Sequence, residues 1–173
     1  MLEDHAKVLA VLQHAGEVTG RKKLQKMLFI LKKLKYPFRE KYEFHFFGPY
    51  SEELTLQIEE LSNLKLIEEY KENRGGYHQY RYQVTSLGEH FLKNFNFDLP
   101  ELDSLVSFLN DQSARFLELV STAFYFDHLS ESENRDKIKT VKAKQNFTEE
   151  ELDRAFEFMK DLKIKQPANL LIH

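Results

Sequence analysis

Cysteine and tryptophan are absent from the 173 residues, glycine occurs six times and proline four. Without cysteine there is no disulfide framework, no thiolate metal site and no cysteine nucleophile. Without tryptophan, apolar burial falls to Phe, at 15 positions, and to Leu and Ile. Long apolar runs are also missing: the apolar-rich, charge-free stretch of residues 119–126 is far short of the roughly 20 residues that a membrane helix needs. The opening Met1-Leu2-Glu3-Asp4-His5 carries early acids and no apolar h-region, so no signal peptide is expected. The expectation is a cytoplasmic protein with no membrane association.

A large charge of one sign is lacking too. The 25 basic and 28 acidic residues leave a formal charge of -3, which excludes a uniformly basic nucleic-acid coat while leaving local patches open. What is present is a globular composition, 42% apolar and 13% aromatic, in a length that fits one domain or a small domain with an appended helical layer.

Apolar periodicity predicts a short helix over residues 5–14, stopped by Gly16, and a clearer one over 20–34 with Thr19 as N-cap and Leu24, Met27, Leu28, Leu31 and Leu34 recurring at helical steps. The aromatic run 42–47 reads as a short strand entering a turn at Gly48-Pro49. Ser51 then caps a helix in which Leu54, Ile58, Leu61 and Leu64 form one stripe. Residues 66–71 and 77–84 flank Asn73-Arg74-Gly75-Gly76 as the arms of a hairpin. Thr85 or Ser86 caps the next helix, Ser86 and Glu89 fitting a capping box. Beyond Pro100 one uninterrupted helical pattern runs through Leu105, Phe116 and Phe126, a polar stretch follows over 130–145, and Thr148 with Glu151 opens a last helix.

The predicted class is mainly α (α+β). Residues 1–97 have the element order of a winged-helix-like unit with a small hairpin wing, and residues 98–173 form a helical extension packed on it.

The run Gly20-Arg21-Lys22-Lys23-Leu24-Gln25-Lys26-Met27-Leu28-Phe29, followed some twenty residues later by Phe47-Gly48-Pro49-Tyr50-Ser51, resembles the Panacea (SocA-like antitoxin) domain and its YwgA-like relatives over about residues 5–95. The matching positions are Leu24 and Gln25 in the helix start and Gly48, Pro49, Tyr50 and Ser51 in the turn. Phe46 and Phe47 stand where that family commonly carries a Trp, which favours the YwgA-like branch. The stretch 80–88 is similar to the second wing strand and following helix of many bacterial winged-helix regulators. The resemblance implies an antitoxin or adaptor module with a protein partner, a toxin or a regulator.

Charge is placed unevenly. Residues 20–42 hold nine basic residues against one acid, Glu40, a net of +8, while 98–136 carries nine acids against two bases. Arg21, Lys22 and Lys23 occupy a first helical turn, where the dipole disfavours cations by about 0.3 to 1 kcal/mol each. A bound phosphate or partner carboxylate would offset that cost; a solvated lysine face is the plainer alternative. The helix at 51–64 holds Glu52, Glu53, Glu59 and Glu60 with no Lys or Arg, so a major groove would repel it. Arg21, Lys22, Lys23 and Lys26, with Arg74 and Arg81 on the wing, are the candidate residues for a partner or for weak, salt-dependent nucleic-acid binding. The basic residues of 137–144 are read as a solvated loop.

No catalytic motif emerges. The seven histidines make no metal-ligand spacing, Gly75-Gly76 lacks the Lys-Ser or Lys-Thr of a phosphate loop, and no nucleophile elbow occurs. No cofactor, metal or catalytic residue is therefore assigned. The expected function is a non-enzymatic interaction or regulatory module; the alternative is a winged-helix DNA-binding transcriptional regulator. Homodimerisation through the apolar residues of 105–126 stays open.

Overall fold

Eight consecutive residues of one helix, Leu24 to Leu31, are buried, and the rest of the chain is arranged around them. The structure, a computed structural model, describes residues 2–168. Its elements are α1 (Leu2–Ala15), β1 (Val18–Thr19), α2 (Arg21–Lys33), β2 (Glu43–His45), β3 (Gly48–Tyr50), α3 (Glu52–Asn63), β4 (Ile67–Arg74), β5 (Tyr77–Val84), α4 (Ser86–Leu92), α5 (Leu102–Asn110), α6 (Ala114–Tyr125), α7 (Glu131–Val141), a 3-10 turn (Ala143–Gln145) and α8 (Glu149–Lys165). The fold is mixed α+β, with eight α-helices among the described residues and two small antiparallel sheets, β1-β5-β4 and β2-β3.

A helix apolar on one side needs one neighbour, whereas α2 is enclosed on all sides. It packs on α6, α5, β1 and β3, and the core cluster runs without a break from Val8 and Leu9 of α1 through α2 to Leu117 and Val120 of α6 and Leu152 of α8. The apolar residues of 105–126 are therefore covered within one chain. They also form two helices instead of the one expected: α5 ends at Asn110, and the Ser113 hydroxyl accepts the Phe116 N–H at 3.1 Å to start α6. A serine cap restarts a helix without glycine or proline, and the polar run Asn110-Asp111-Gln112-Ser113 was the local signal of the break.

Several local expectations are corrected by competing hydrogen bonds. Thr19 does not cap α2, because it pairs with Arg81 in β1-β5, and Gly20 takes the N-cap without any side-chain bond. The chain turns at Phe46-Phe47, while Gly48 and Pro49 lie in β3 opposite His45 and Phe44. Leu64 is 53% exposed and leaves the α3 stripe. There α3 closes in a Schellman arrangement, with Lys65 at φ 63°, its N–H on Ser62 O and the Leu66 N–H on Leu61 O, so Leu66 occupies the buried place. The β4 strand continues to Arg74, pairing it with Tyr77, so the connection narrows to Gly75-Gly76.

Thr85, not Ser86, caps α4, accepting from the Gly88 N–H at 3.0 Å. The polar stretch 130–145 is α7 and the 3-10 turn, not a loop. Only Asn134 and Ile138 of α7 face inward, one turn apart, which is too sparse an apolar pattern to announce a helix. The Thr148–Glu151 capping box is present as expected, and α8 buries Leu152, Ala155, Phe156 and Met159.

At Gly88 the α4 helix meets the end of α3 so closely that a β-carbon would lie 2.2 Å from Leu66 O and 2.7 Å from Val84 Cγ1. Gly88→Ala is expected to cost about 2 to 4 kcal/mol in urea unfolding, whereas Ser86→Ala, exposed two residues earlier, is expected to stay within about 0.5 kcal/mol.

Candidate functional site

Two segments that stand apart in sequence, the start of α2 and residues 48–51, meet in one hydrogen-bonded junction. Gln25 reaches the buried backbone of Ser51 with both ends of its amide: Nε2 donates to Ser51 O at 2.9 Å and Oε1 accepts from Ser51 N at 2.9 Å. Its second N–H donates to Thr55 Oγ1 at 3.1 Å, and the Thr55 and Tyr50 hydroxyls are 2.8 Å apart. Freed to act as a cap, the Ser51 side chain accepts from Leu54 N at 3.1 Å and starts α3. One residue along α2, Lys26 donates to Pro49 O at 3.3 Å. Gly48 is required here by its backbone at φ 96° and not by space, since a β-carbon would make only ordinary contacts, 3.6 Å to Lys26 Cε and 3.5 Å to Thr122 Oγ1. Leu24 belongs to the core, while Gln25, Gly48, Pro49, Tyr50 and Ser51 form one contact.

Beneath the β2-β3 hairpin lie two ammonium groups and one carboxylate. Lys26 is 3% exposed and Lys142 2%. Lys142 donates to Phe46 O and to Glu118 Oε1, both at 2.8 Å, and Gln145 adds a bond to the same carboxylate oxygen. The carbonyls of Phe46 and Pro49 are thus held by cations from α2 and from the end of α7. Burial drives the Lys26 ammonium down from 10.5 to about 8; Glu118 opposes the change, and Lys142 and Lys22 reinforce it.

Above this junction is a cavity of about 220 Å³ between the first turns of α2, the hairpin tip, α3 and the β4-β5 sheet. Phe47, Tyr50, Ile58 and Tyr82 supply rings and an aliphatic wall, Gln25 and Thr55 supply polar groups, and Arg21, Lys22, Lys26, Glu59 and Glu69 supply charge. Arg21 crosses its floor: Nε donates to Tyr82 OH at 2.9 Å, Nη2 to Glu69 at 2.9 Å, and the guanidinium stacks 3.9 Å from the Tyr80 ring centre. Burial works against the Arg21 charge, but the hydrogen bonds to Glu69 and Tyr82 outweigh it and hold its proton more firmly than usual. Lys22 places its ammonium 3.2 Å from the Phe47 ring centre.

The basic run of residues 20–42 does not form one face. Arg21 and Lys22 border the cavity and Lys26 lies under it, whereas Lys23 turns to α5 and donates to Asn110 O at 2.5 Å. Lys32 donates to Glu40 O, Lys33 pairs with Asp127 at 3.1 Å and Arg39 approaches Asp4 at 3.7 Å. On the β4-β5 hairpin, Arg74 pairs with Glu72 at 3.1 Å, and Arg81 with Glu17 at 3.2 Å and Glu72 at 2.6 Å. Neither borders the cavity. Lys142, expected in a solvated loop, is instead a buried clamp, and with Glu118 it escaped the sequence reading. Their signal was a lone charge between apolar neighbours, Leu117-Glu118-Leu119 and Val141-Lys142-Ala143.

No protein-family model matches the chain. A protein of Bacillus subtilis (strain 168), carrying the name uncharacterized protein YwgA, is 53% identical over 163 residues, which span 94% of this chain and 98% of the relative. The chain belongs to the YwgA family. In this YwgA-family scaffold no group of three or more His, Asp or Glu side chains among the described residues is placed to hold a metal ion, and no helix among them is long and apolar enough to cross a membrane. The cavity offers donors and apolar walls together, an arrangement suited to holding a ligand by shape and charge.

Two predictions test the junction. Gln25→Leu strands the buried Ser51 N–H and is expected to cost about 1 to 3 kcal/mol in urea unfolding. Lys26 gives a pH signature. The unfolded chain keeps that proton up to about 10.5, while the folded one releases it near 8, so between these values the unfolded state binds more protons and stability rises with pH. Lys26→Met removes that contribution. The variant is expected to be at least as stable as the parent at pH 7 and to lose ground to it by up to about 3 kcal/mol between pH 8 and 10.5, read from urea titrations at three pH values.

Proposed function

We propose that this YwgA-family chain is a polypeptide-binding regulatory module, antitoxin- or adaptor-like, built on a winged-helix-like unit with a helical extension and carrying out no chemistry of its own. The supporting order is α1, β1, α2, α3 and the β4-β5 wing, with β1 alongside β5, into which the β2-β3 hairpin is inserted. The likeness of the Gln25 and Gly48-Pro49 segments to the Panacea domain points to the same class.

One observation carries the reading. In a winged helix α3 is the element that enters the major groove, and here its exposed residues include Glu52, Glu53, Glu59 and Glu60, with Leu56 55% exposed among them and no Lys or Arg. Against a duplex, four carboxylates would face phosphate and no counterions would be released by the helix. Against a polypeptide, an exposed leucine among acids is an ordinary anchor with a polar surround. Duplex binding through other surfaces is weakened by the ion pairs on Arg21, Arg74 and Arg81, which already occupy three of the six candidate cations.

A photo-crosslinking amino acid at Leu56, introduced into the full chain in its native cell, reads the class of partner directly. A discrete adduct that survives nuclease and disappears with protease is the expected outcome. A nuclease-sensitive adduct, or tight binding of a duplex probe at low salt by the purified chain, overturns the reading in favour of nucleic acid.

A further inference from the structure

We propose that the cavity beside Lys22 receives a single bulky apolar side chain from an acidic segment of the partner polypeptide, an inference that rests on the polypeptide-binding reading above. Its volume of about 220 Å³ matches one aromatic or leucine side chain, and its walls include Phe47, Tyr50, Ile58 and Tyr82. Thr55 Oγ1 is already engaged by Gln25 and Tyr50, so the polar groups inside are largely satisfied without a ligand and an apolar occupant leaves few of them stranded.

Apolar surface continues past the mouth. Phe46 is 68% exposed and packs edge-on against Phe47, their centres 5.0 Å apart, at the very tip of β2-β3. A ligand confined to the cavity would leave that tip in water, whereas an extended chain crossing the mouth would cover it.

Charge complementarity fixes the sign of the segment. Around the cavity, Glu69 is taken by Arg21, while neither Lys22 nor Lys26 has a carboxylate within ion-pair distance among the described residues. The first turn of α2 carries no acid and its N-cap Gly20 provides no side-chain acceptor, so the positive end of the helix adds to the same field. Lys144 extends it along the hairpin, 5.7 Å from the Phe46 ring centre. Glu59 on α3 is the one acid at the cavity without an ion pair among the described residues, which places the acids of the segment on the α2 and hairpin side.

The test uses the full chain and short synthetic peptides of Glu, Ser and Gly with one central Phe, followed by amide NMR shifts at millimolar peptide. The expected shifts fall on Lys22, Phe47, Thr55 and Tyr82. Replacing the central Phe by Ala is expected to weaken binding about tenfold or more, and Lys22→Glu, an exposed change that leaves folding intact, by about tenfold with a loss of salt dependence. Leu87→Glu, exposed on α4, is expected to leave binding unchanged.

Shifts that map elsewhere, equal binding of the Ala peptide or of a Lys-for-Glu peptide, or equal binding of free phenylacetate each overturn the proposal, the last in favour of a small-acid site. A photo-crosslinker at Phe47 separates this claim from the broader one. Polypeptide adducts at Leu56 with none at Phe47 overturn the cavity assignment and leave the polypeptide-binding reading standing.

Discussion

The bidentate grip of the Gln25 amide on the Ser51 backbone is the constraint from which the site follows. An amide side chain that satisfies both the N–H and the C=O of one buried residue replaces a rung of sheet, and it does so where no strand can reach. That contact aims the start of α3, brings Thr55 and Tyr50 together, and sets the hairpin over the lysine one position further along α2. Without it, Ser51 could not cap α3 at this angle and the cavity would lose its wall.

The neighbouring charges are arranged less economically. Under the hairpin Glu118 pairs with Lys142, and Lys26, which has no ion pair among the described residues, is the ammonium that burial pushes toward neutrality. Buried ions seldom add stability over an apolar substitute, so their value lies in specifying geometry. Here each ammonium terminates on a carbonyl of β2-β3, fixing the height of the aromatic tip above α2 and α6.

Much of the fold was legible because its signals were local: Ser51 and Thr148 as caps, the Gly75-Gly76 connection, and the apolar recurrence in α2, α3 and α8. The misses share a cause. Thr19, Gly48-Pro49 and Leu64 were decided by partners distant in sequence or by the αL closure at Lys65, which local propensity does not contain. At the site, the Gln25 and Ser51 segments named together by the resemblance meet in space, and the physical reason, a side-chain amide on a backbone, needed three dimensions. The basic run misled because consecutive residues on a buried helix radiate in all directions, sending Lys22, Lys23 and Lys26 to three different neighbourhoods.

The hairpin clamp also has a bearing on synthesis. Lys26 and Gln25 leave the ribosome early, but Glu118 and Lys142 emerge only after most of the chain has been made. Until then the β2-β3 loop is tethered from one side, with its pair of phenylalanines unmoored and the central helix not yet covered by α6. A chain made from its N-terminus therefore keeps this apolar surface exposed until α6 and the end of α7 have followed it.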